Sequence, residues 1–181
     1  SFELTDIAID GRRDIDEITG GSLVKVELGA SFNLGVNAAL SLNDNTDGSA
    51  SATYYTTGGK GGAIFNEGAT TIADTAAIAQ TKAGKGAAIY QNGTLTMLAG
   101  TSSISGSVYL TGTKTSDVSA GFSSIVNVED AYVPSGQLSI ALENPYNHRE
   151  VVEYPGGSVP TTAQAAYFGL EPDVAALFKL G

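Results

Sequence analysis

Gly59-Lys-Gly-Gly-Ala-Ile-Phe-Asn-Glu-Gly-Ala-Thr-Thr-Ile72 aligns without a gap on Gly84-Lys-Gly-Ala-Ala-Ile-Tyr-Gln-Asn-Gly-Thr-Leu-Thr-Met97. Ile64 falls on Ile89, Phe65 on Tyr90, Gly68 on Gly93 and Ile72 on Met97. Working outward, a further copy starts at Gly106-Ser-Val-Tyr-Leu-Thr-Gly-Thr113, where Val108 and Tyr109 repeat the aliphatic-aromatic pair, and a looser one starts at Gly20-Gly-Ser-Leu-Val24. Each unit reads as short strands split by glycine corners, with apolar-polar alternation in stretches such as Thr94-Leu-Thr-Met97. None has a ten-residue helical period. A repeat of this length cannot bury its own apolar side and must stack on neighbours, which predicts a solenoid.

Stacking turns aligned positions into inward columns. The alignment predicts one column of Leu23, Ile64, Ile89 and Val108, a second containing Ile72 and Met97, and a third of Leu40, Ile78 and Ile104. Three columns imply three sheets per coil. The predicted fold is therefore all-β, a right-handed parallel β-helix with coils over 1–142 and a short non-repetitive cap over 143–181. Ser1-Phe-Glu-Leu-Thr-Asp-Ile-Ala-Ile-Asp10 reads as one opening strand, and Gln137-Leu-Ser-Ile-Ala-Leu142 as a late one. In the cap, Thr161 and Gln164 have the spacing of a capping box for a short helix, and Pro172 suits the first position of another. Corner loops are expected at residues 12–17 and 43–50. The chain opens without a start methionine or a signal peptide, and reads as a piece of a longer parent.

Composition supports a folded, non-enzymatic module. The 181 residues suit one domain or one slice of a repeat array. With 42% hydrophobic and only 15% charged residues the chain is too apolar to be simply disordered. The absence of cysteine excludes disulfides and thiolate metal centres. The net charge of −10 argues against nucleic acid and anionic lipid, and no apolar run approaches the ~20 residues of a membrane helix. That charge is unevenly placed. Residues 59–113 hold only Lys60, Lys82, Lys85, Glu67 and Asp74, leaving a nearly neutral middle between acidic flanks. A neutral middle suits stacked strands, where like charges in register repel.

The Gly-Gly-Ala-Ile-Phe-Asn-Glu-Gly and Gly-Ala-Ala-Ile-Tyr-Gln-Asn-Gly-Thr-Leu-Thr-Met stretches, with Thr-Ser-Ser-Ile-Ser-Gly106, resemble the repeats of large right-handed parallel β-helix surface proteins of bacteria. These include wall-attached proteins of gut commensals and, more distantly, autotransporter and polymorphic outer-membrane passengers. The resemblance covers about two thirds of the chain and specifies fold more than function. It implies an extracellular, cell-surface module that is adhesive or acts as a spacer, with a host glycan or surface protein as partner and no cofactor.

Phe65, Tyr90 and Tyr109 each follow an inward aliphatic residue, so alternation should turn them outward as one file. An exposed aromatic file could stack on sugar rings, and these three are the candidate ligand-binding residues. The competing reading is that the rings stack on each other for stability or lie under a loop. No catalytic or metal residues are assigned. His148 and Arg149 read as turn residues, and Asp10, Asp14, Asp16 and Glu17 as a solvated corner. Asn43-x-Asn45-x-Asp47-Gly48 matches half a calcium loop, but Tyr54 occupies the twelfth position, where a carboxylate is required. Asn92-Gly93-Thr94 forms a glycosylation sequon that a glycine corner explains equally well. The alternative function is a carbohydrate-active enzyme fragment, which would need carboxylates facing each other across a groove.

Overall fold

A computed structural model describes residues 1–11, 21–45, 59–112, 124–143, 151–155 and 161–170. The fold is all-β, with parallel sheets. One six-stranded sheet is ordered β1 (Phe2–Leu4), β4 (Ser31–Leu34), β8 (Ala69–Ile72), β12 (Thr94–Met97), β15 (Val126–Val128) and β17 (Val152–Glu153). A second runs β3 (Val24–Val26), β7 (Ile64–Asn66), β11 (Ile89–Gln91), β14 (Ser107–Leu110), β16 (Leu138–Leu142) and β18 (Phe168–Leu170). A third runs β2 (Ala8–Asp10), β5 (Ala39–Ser41), β9 (Ala77–Ala79) and β13 (Ser103–Ile104). Each sheet takes its strands in chain order, one from each successive repeat. A fourth, small sheet pairs β6 (Asp44–Asn45) with β10 (Lys82–Ala83), so the loop expected from residue 43 begins as a strand.

Register confirms two of the expected columns and shifts the third. Leu34, Ile72, Met97 and Val128 stand in line through their strand pairings, and Ile9, Leu40, Ile78 and Ile104 do the same. In the remaining column Ile64 pairs with Val24, not Leu23, and the line continues through Ile89 and Val108 to Ile140. In the looser first copy the column residue is Val24, one position later than the alignment predicts. Strand alternation makes such a slip consequential, because neighbouring residues point to opposite faces. The opening segment is likewise two strands in different sheets, separated by Asp6 at φ 51°.

That corner is built the same way in successive repeats. Asp6, Asn37 and Thr75 all have left-handed backbones, with φ of 51°, 56° and 58°. Asp and Asn are among the side chains that best tolerate this region and the β-branched Thr75 is strained in it, yet all three bond from coil to coil. Asn37 Nδ2 donates to Asp6 Oδ1 at 2.9 Å, and the Asn37 N–H donates to Thr75 Oγ1 at 3.0 Å. One residue earlier, Asp74 accepts from the N–H of Thr101 at 2.7 Å and from its hydroxyl at 3.2 Å. The Thr101 N–H is the main reason the Asp74 carboxyl is held below its ordinary pKa. A depressed carboxylate pKa stabilises the fold fully above the unfolded value of about 3.9, and this contribution is lost as pH falls through the lower folded value. Asp74→Asn should therefore flatten the pH dependence of the urea midpoint below about pH 4. An unchanged slope would show that the Thr101 bond does not couple to folding.

The core is aliphatic but contains polar rungs, among them Asn66, Thr70 and Gln91. Asn66 and Gln91 lie fully buried in the line Val26, Asn66, Gln91, Leu110 and Leu142. Asn66 Nδ2 donates to Gln91 Oε1 and to the Thr94 carbonyl, both at 2.8 Å, while Asn66 Oδ1 accepts from the Gly68 N–H at 3.1 Å. The amide thus closes the tight corner between β7 and β8 and ties it to the next coil. A buried amide with these partners is compensated where an unpaired one would not be.

The repeat continues further than its sequence signal. β17 and β18, both within 143–181, extend two of the sheets in parallel. Between them the expected helix is α1 (Thr162–Ala165), a single turn. Its capping box is formed as predicted: the Gln164 N–H donates to Thr161 Oγ1 and the Thr161 N–H to Gln164 Oε1. The helical turn expected around Pro172 lies outside the described residues.

Candidate functional site

Phe65, Tyr90 and Tyr109 sit at the middle of β7, β11 and β14, flanked on both sides by residues that point into the core. Parallel pairing puts them in exact-register rungs with Lys25 of β3 below and Ala141 of β16 above. The rings stack, with centroids 5.2 and 5.6 Å apart and planes within 5° and 9° of parallel. The expected outward file is therefore present. It is not, however, an open platform. Tyr90 and Tyr109 are only 5% and 3% exposed, and Phe65 alone is half-buried.

Lysines cover the file. Lys25 Nζ lies 5.7 Å from the centre of the Phe65 ring, Lys60 Nζ lies 4.8 Å from that of Tyr90, and Lys85 Nζ lies 5.3 Å from that of Tyr109. Lys60 and Lys85 are themselves paired in a parallel bridge, one before each aromatic strand. Like charges in register should repel, but each ammonium leans over the ring of the next coil, whose negative π face offsets part of the repulsion. The apolar lysine stems remove ring surface from water at the same time. Mutual stacking and lysine cover both contribute to the burial of the two tyrosines.

Ion pairing distinguishes the lysines. Four cationic side chains belong to the described residues, and three have a carboxylate partner: Lys25 with Glu27 at 2.7 Å, Lys82 with Asp44 at 4.0 Å, and Lys85 with Glu143 at 3.7 Å. The hydrogen bond to Glu27, followed by its charge, raises the pKa of Lys25. Lys60 has no carboxylate within that reach among the described residues.

Beside the lower end of the file is an open cleft of about 470 Å³, bordered by Ser22, Lys25, Asn45, Lys60, Phe65 and Glu67. Two of these side chains fix the backbone that carries Lys60. Ser22 Oγ donates to the Gly61 carbonyl at 2.7 Å, and Asn45 Nδ2 donates to the Lys60 carbonyl at 2.9 Å and the Gly61 carbonyl at 3.1 Å. The residues around the cleft thus include one accessible aromatic, two lysines and one glutamate on a fixed frame.

The other sequence candidates are dispersed. Asn43 Nδ2 donates to the Gly21 and Gly62 carbonyls, and Asn45 is used as above, so both amides of the half calcium motif brace backbone. Asp47, Asp14, Asp16, Glu17, His148 and Arg149 lie outside the described residues. Among the described residues no group of three or more His, Cys, Asp or Glu side chains could hold a metal ion. Asn92, in the sequon, accepts from Thr111 Oγ1 at 2.7 Å through Oδ1. The lysine row is the element that the sequence reading missed. Its signal was present, since Lys60 and Lys85 align in the same frame as Phe65 and Tyr90.

No helix among the described residues is long and apolar enough to cross a membrane. Compared with family models, curated proteins and solved structures, the chain matches none.

Proposed function

We propose that the chain is a non-catalytic module of an extracellular bacterial surface protein, a right-handed parallel β-helix that holds a contact site away from its point of attachment. One observation carries this reading: every sheet draws its strands from successive repeats in order, with aligned side chains in register along the stack. Nearest-neighbour stacking of this kind makes a quasi-one-dimensional scaffold. Six rungs at ~4.8 Å make a rod of roughly 25 Å, and more coils in a longer parent would lengthen it proportionately. The right-handed winding rests on the strong chiral preference of parallel strand crossovers. The stacked, covered tyrosines serve rigidity, while contact with a host glycan falls to the Phe65 end of the file.

Two measurements test this. An antibody against the chain should label intact cells of the organism that encodes it, and labelling only after lysis would refute surface display. The purified chain should be retained on an immobilised glycan panel yet release no new reducing ends and no unsaturated-uronate absorbance from polysaccharides. Turnover of any of them would replace the module reading with the carbohydrate-active one.

A further inference from the structure

The sequon at the corner between β11 and β12 contains the only Asn-Gly pair of the chain, Asn92-Gly93. Packing demands glycine at its second place, since a Cβ on Gly93 would lie 2.0 Å from the Gly68 carbonyl oxygen. It makes no such demand at the first, where Asn92 is exposed and Glu67 stands at the aligned position of the preceding repeat. The fold therefore sets an asparagine beside a residue with no side chain to shield its backbone nitrogen.

Hydrogen bonding leaves that nitrogen available. The N–H of Asn92 donates to the Asn66 carbonyl and that of Thr94 to the Gly68 carbonyl, both at 2.8 Å, but the Gly93 N–H between them has no acceptor among the described residues. On the other side, the hydroxyl of the buried Thr111 donates to Asn92 Oδ1 at 2.7 Å, the shorter of its two contacts. Asp10-Gly11, the other described dipeptide able to close a five-membered imide without a side chain in the way, supplies the contrast. There the Gly11 N–H donates to the Ser41 carbonyl at 2.9 Å, and Asp10 is held opposite Ser41 in the β2–β5 ladder.

We propose that Asn92 is a site of spontaneous deamidation, with the Gly93 nitrogen as nucleophile and the Thr111 hydroxyl stabilising the charge that develops on Oδ1. The Gly93 nitrogen gives its proton to hydroxide and attacks Asn92 Cγ; the Cγ–Nδ2 bond breaks, and the amide nitrogen takes a proton from water and leaves as ammonia. Water then opens the cyclic imide. Cleavage of the new Cγ–N bond gives aspartate, and cleavage of the original peptide C–N bond gives isoaspartate, so the net change is water in and ammonia out with no redox step. A preorganised donor aimed at a developing oxyanion lowers the barrier to the first step. Either product adds a carboxylate to the column that already holds Glu67 and Glu143. Isoaspartate also adds a backbone atom between the ladder bonds of residues 92 and 94, which are spaced for an ordinary chain, so the corner has to open.

The test incubates the folded full chain at mildly alkaline pH and follows each asparagine by peptide mass mapping, with isoaspartate counted by an isoaspartyl methyltransferase and labelled S-adenosylmethionine. Asn92 should convert at least about tenfold faster than any other described asparagine, its rate should rise about tenfold per pH unit, and isoaspartate should form at Asp10 only in urea. Thr111→Val should slow Asn92 about fivefold, while Thr111→Ser, which keeps the hydroxyl, should stay within about twofold of the parent. The urea midpoint of the parent should fall during the incubation and that of Asn92→Gln should hold. Thermal unfolding of each fresh variant separates a changed rate from a changed fold. An Asn92 that persists in the folded chain but converts in urea would overturn the proposal, because the corner would then shield the nitrogen. Isoaspartate accumulating at Asp10 as fast as at Asn92 in the folded chain would overturn selection by ladder bonding, and an unslowed, folded Thr111→Val would remove the part assigned to the hydroxyl.

Discussion

Ile89→Ala is expected to destabilise the protein by about 2–5 kcal/mol, read from urea unfolding at constant m-value. Ile89 is fully buried at the centre of the column Ile64, Ile89 and Val108, each of which is itself fully buried. Its truncation removes transfer energy and leaves a cavity between two rungs that are fixed by their own ladders. Parallel pairing on both sides prevents the neighbouring coils from collapsing into the gap, which places the cost in the upper part of the range. Ile89→Val should cost only about 0.5–1.5 kcal/mol, and Leu28→Ala, at a side chain 87% exposed, should fall within about 0.5 kcal/mol of the parent. A loss below about 1 kcal/mol for Ile89→Ala would contradict a close-packed column.

Gly86→Ala should cost about 3 kcal/mol for a different reason. Gly86 has φ +68°, and a Cβ there would lie 2.2 Å from the carbonyl oxygen of Ile89. The aligned Gly61 has φ +71° and would place its Cβ 2.1 Å from the carbonyl oxygen of Ile64. A left-handed backbone costs a side-chain-bearing residue about 1–2 kcal/mol, and forcing a methyl group against fixed backbone adds roughly 1–3 kcal/mol. Because the blocking atoms are carbonyls within the strand that starts each repeat, relief would require moving the strand itself. Gly61→Ala should behave alike, whereas Gly136→Ala, with open space around the new methyl, should change stability by less than about 1 kcal/mol. If Gly86→Ala were as mild as Gly136→Ala, the corner would not have the geometry described.

The two experiments probe features of unequal legibility. The Ile89 column could be read directly, because a gap-free alignment at an offset of 25 residues assigns partners as soon as stacking is assumed. The same alignment placed Gly61 on Gly86, but it could not say that these glycines, among 23, need a left-handed backbone while Gly136 does not. The first copy is less legible. Gly20-Gly-Ser-Leu-Val24 offers two adjacent aliphatic residues, and only pairing of Val24 with Ile64 decides which belongs to the column. At the other end, Val152–Glu153 and Phe168–Leu170 join the sheets without any glycine-aliphatic-aromatic signature. Backbone hydrogen bonds form the ladder whatever the side chains, so a strand can continue the stack after its sequence motif has gone.

The candidate site was half legible. Alternation correctly turned Phe65, Tyr90 and Tyr109 away from the aliphatic core, since side-chain period is a local property of the strand. Their exposure is not local. It depends on Lys60 and Lys85 reaching up one coil, and on Glu143 meeting Lys85 from 58 positions further along the chain. A composition with few cations in an acidic chain likewise acquires meaning only from placement, because three of the four described lysines line one aromatic file.

By itself the sequence determined the repeat, its parallel stacking and most of the inward columns, because these follow from a fixed offset combined with a two-residue period. Only the tertiary structure decided which rings are covered, which of the described lysines keeps no carboxylate partner, and where an open cleft remains. Those properties arise from side chains of different coils meeting in space, and no local pattern encodes the distance between them.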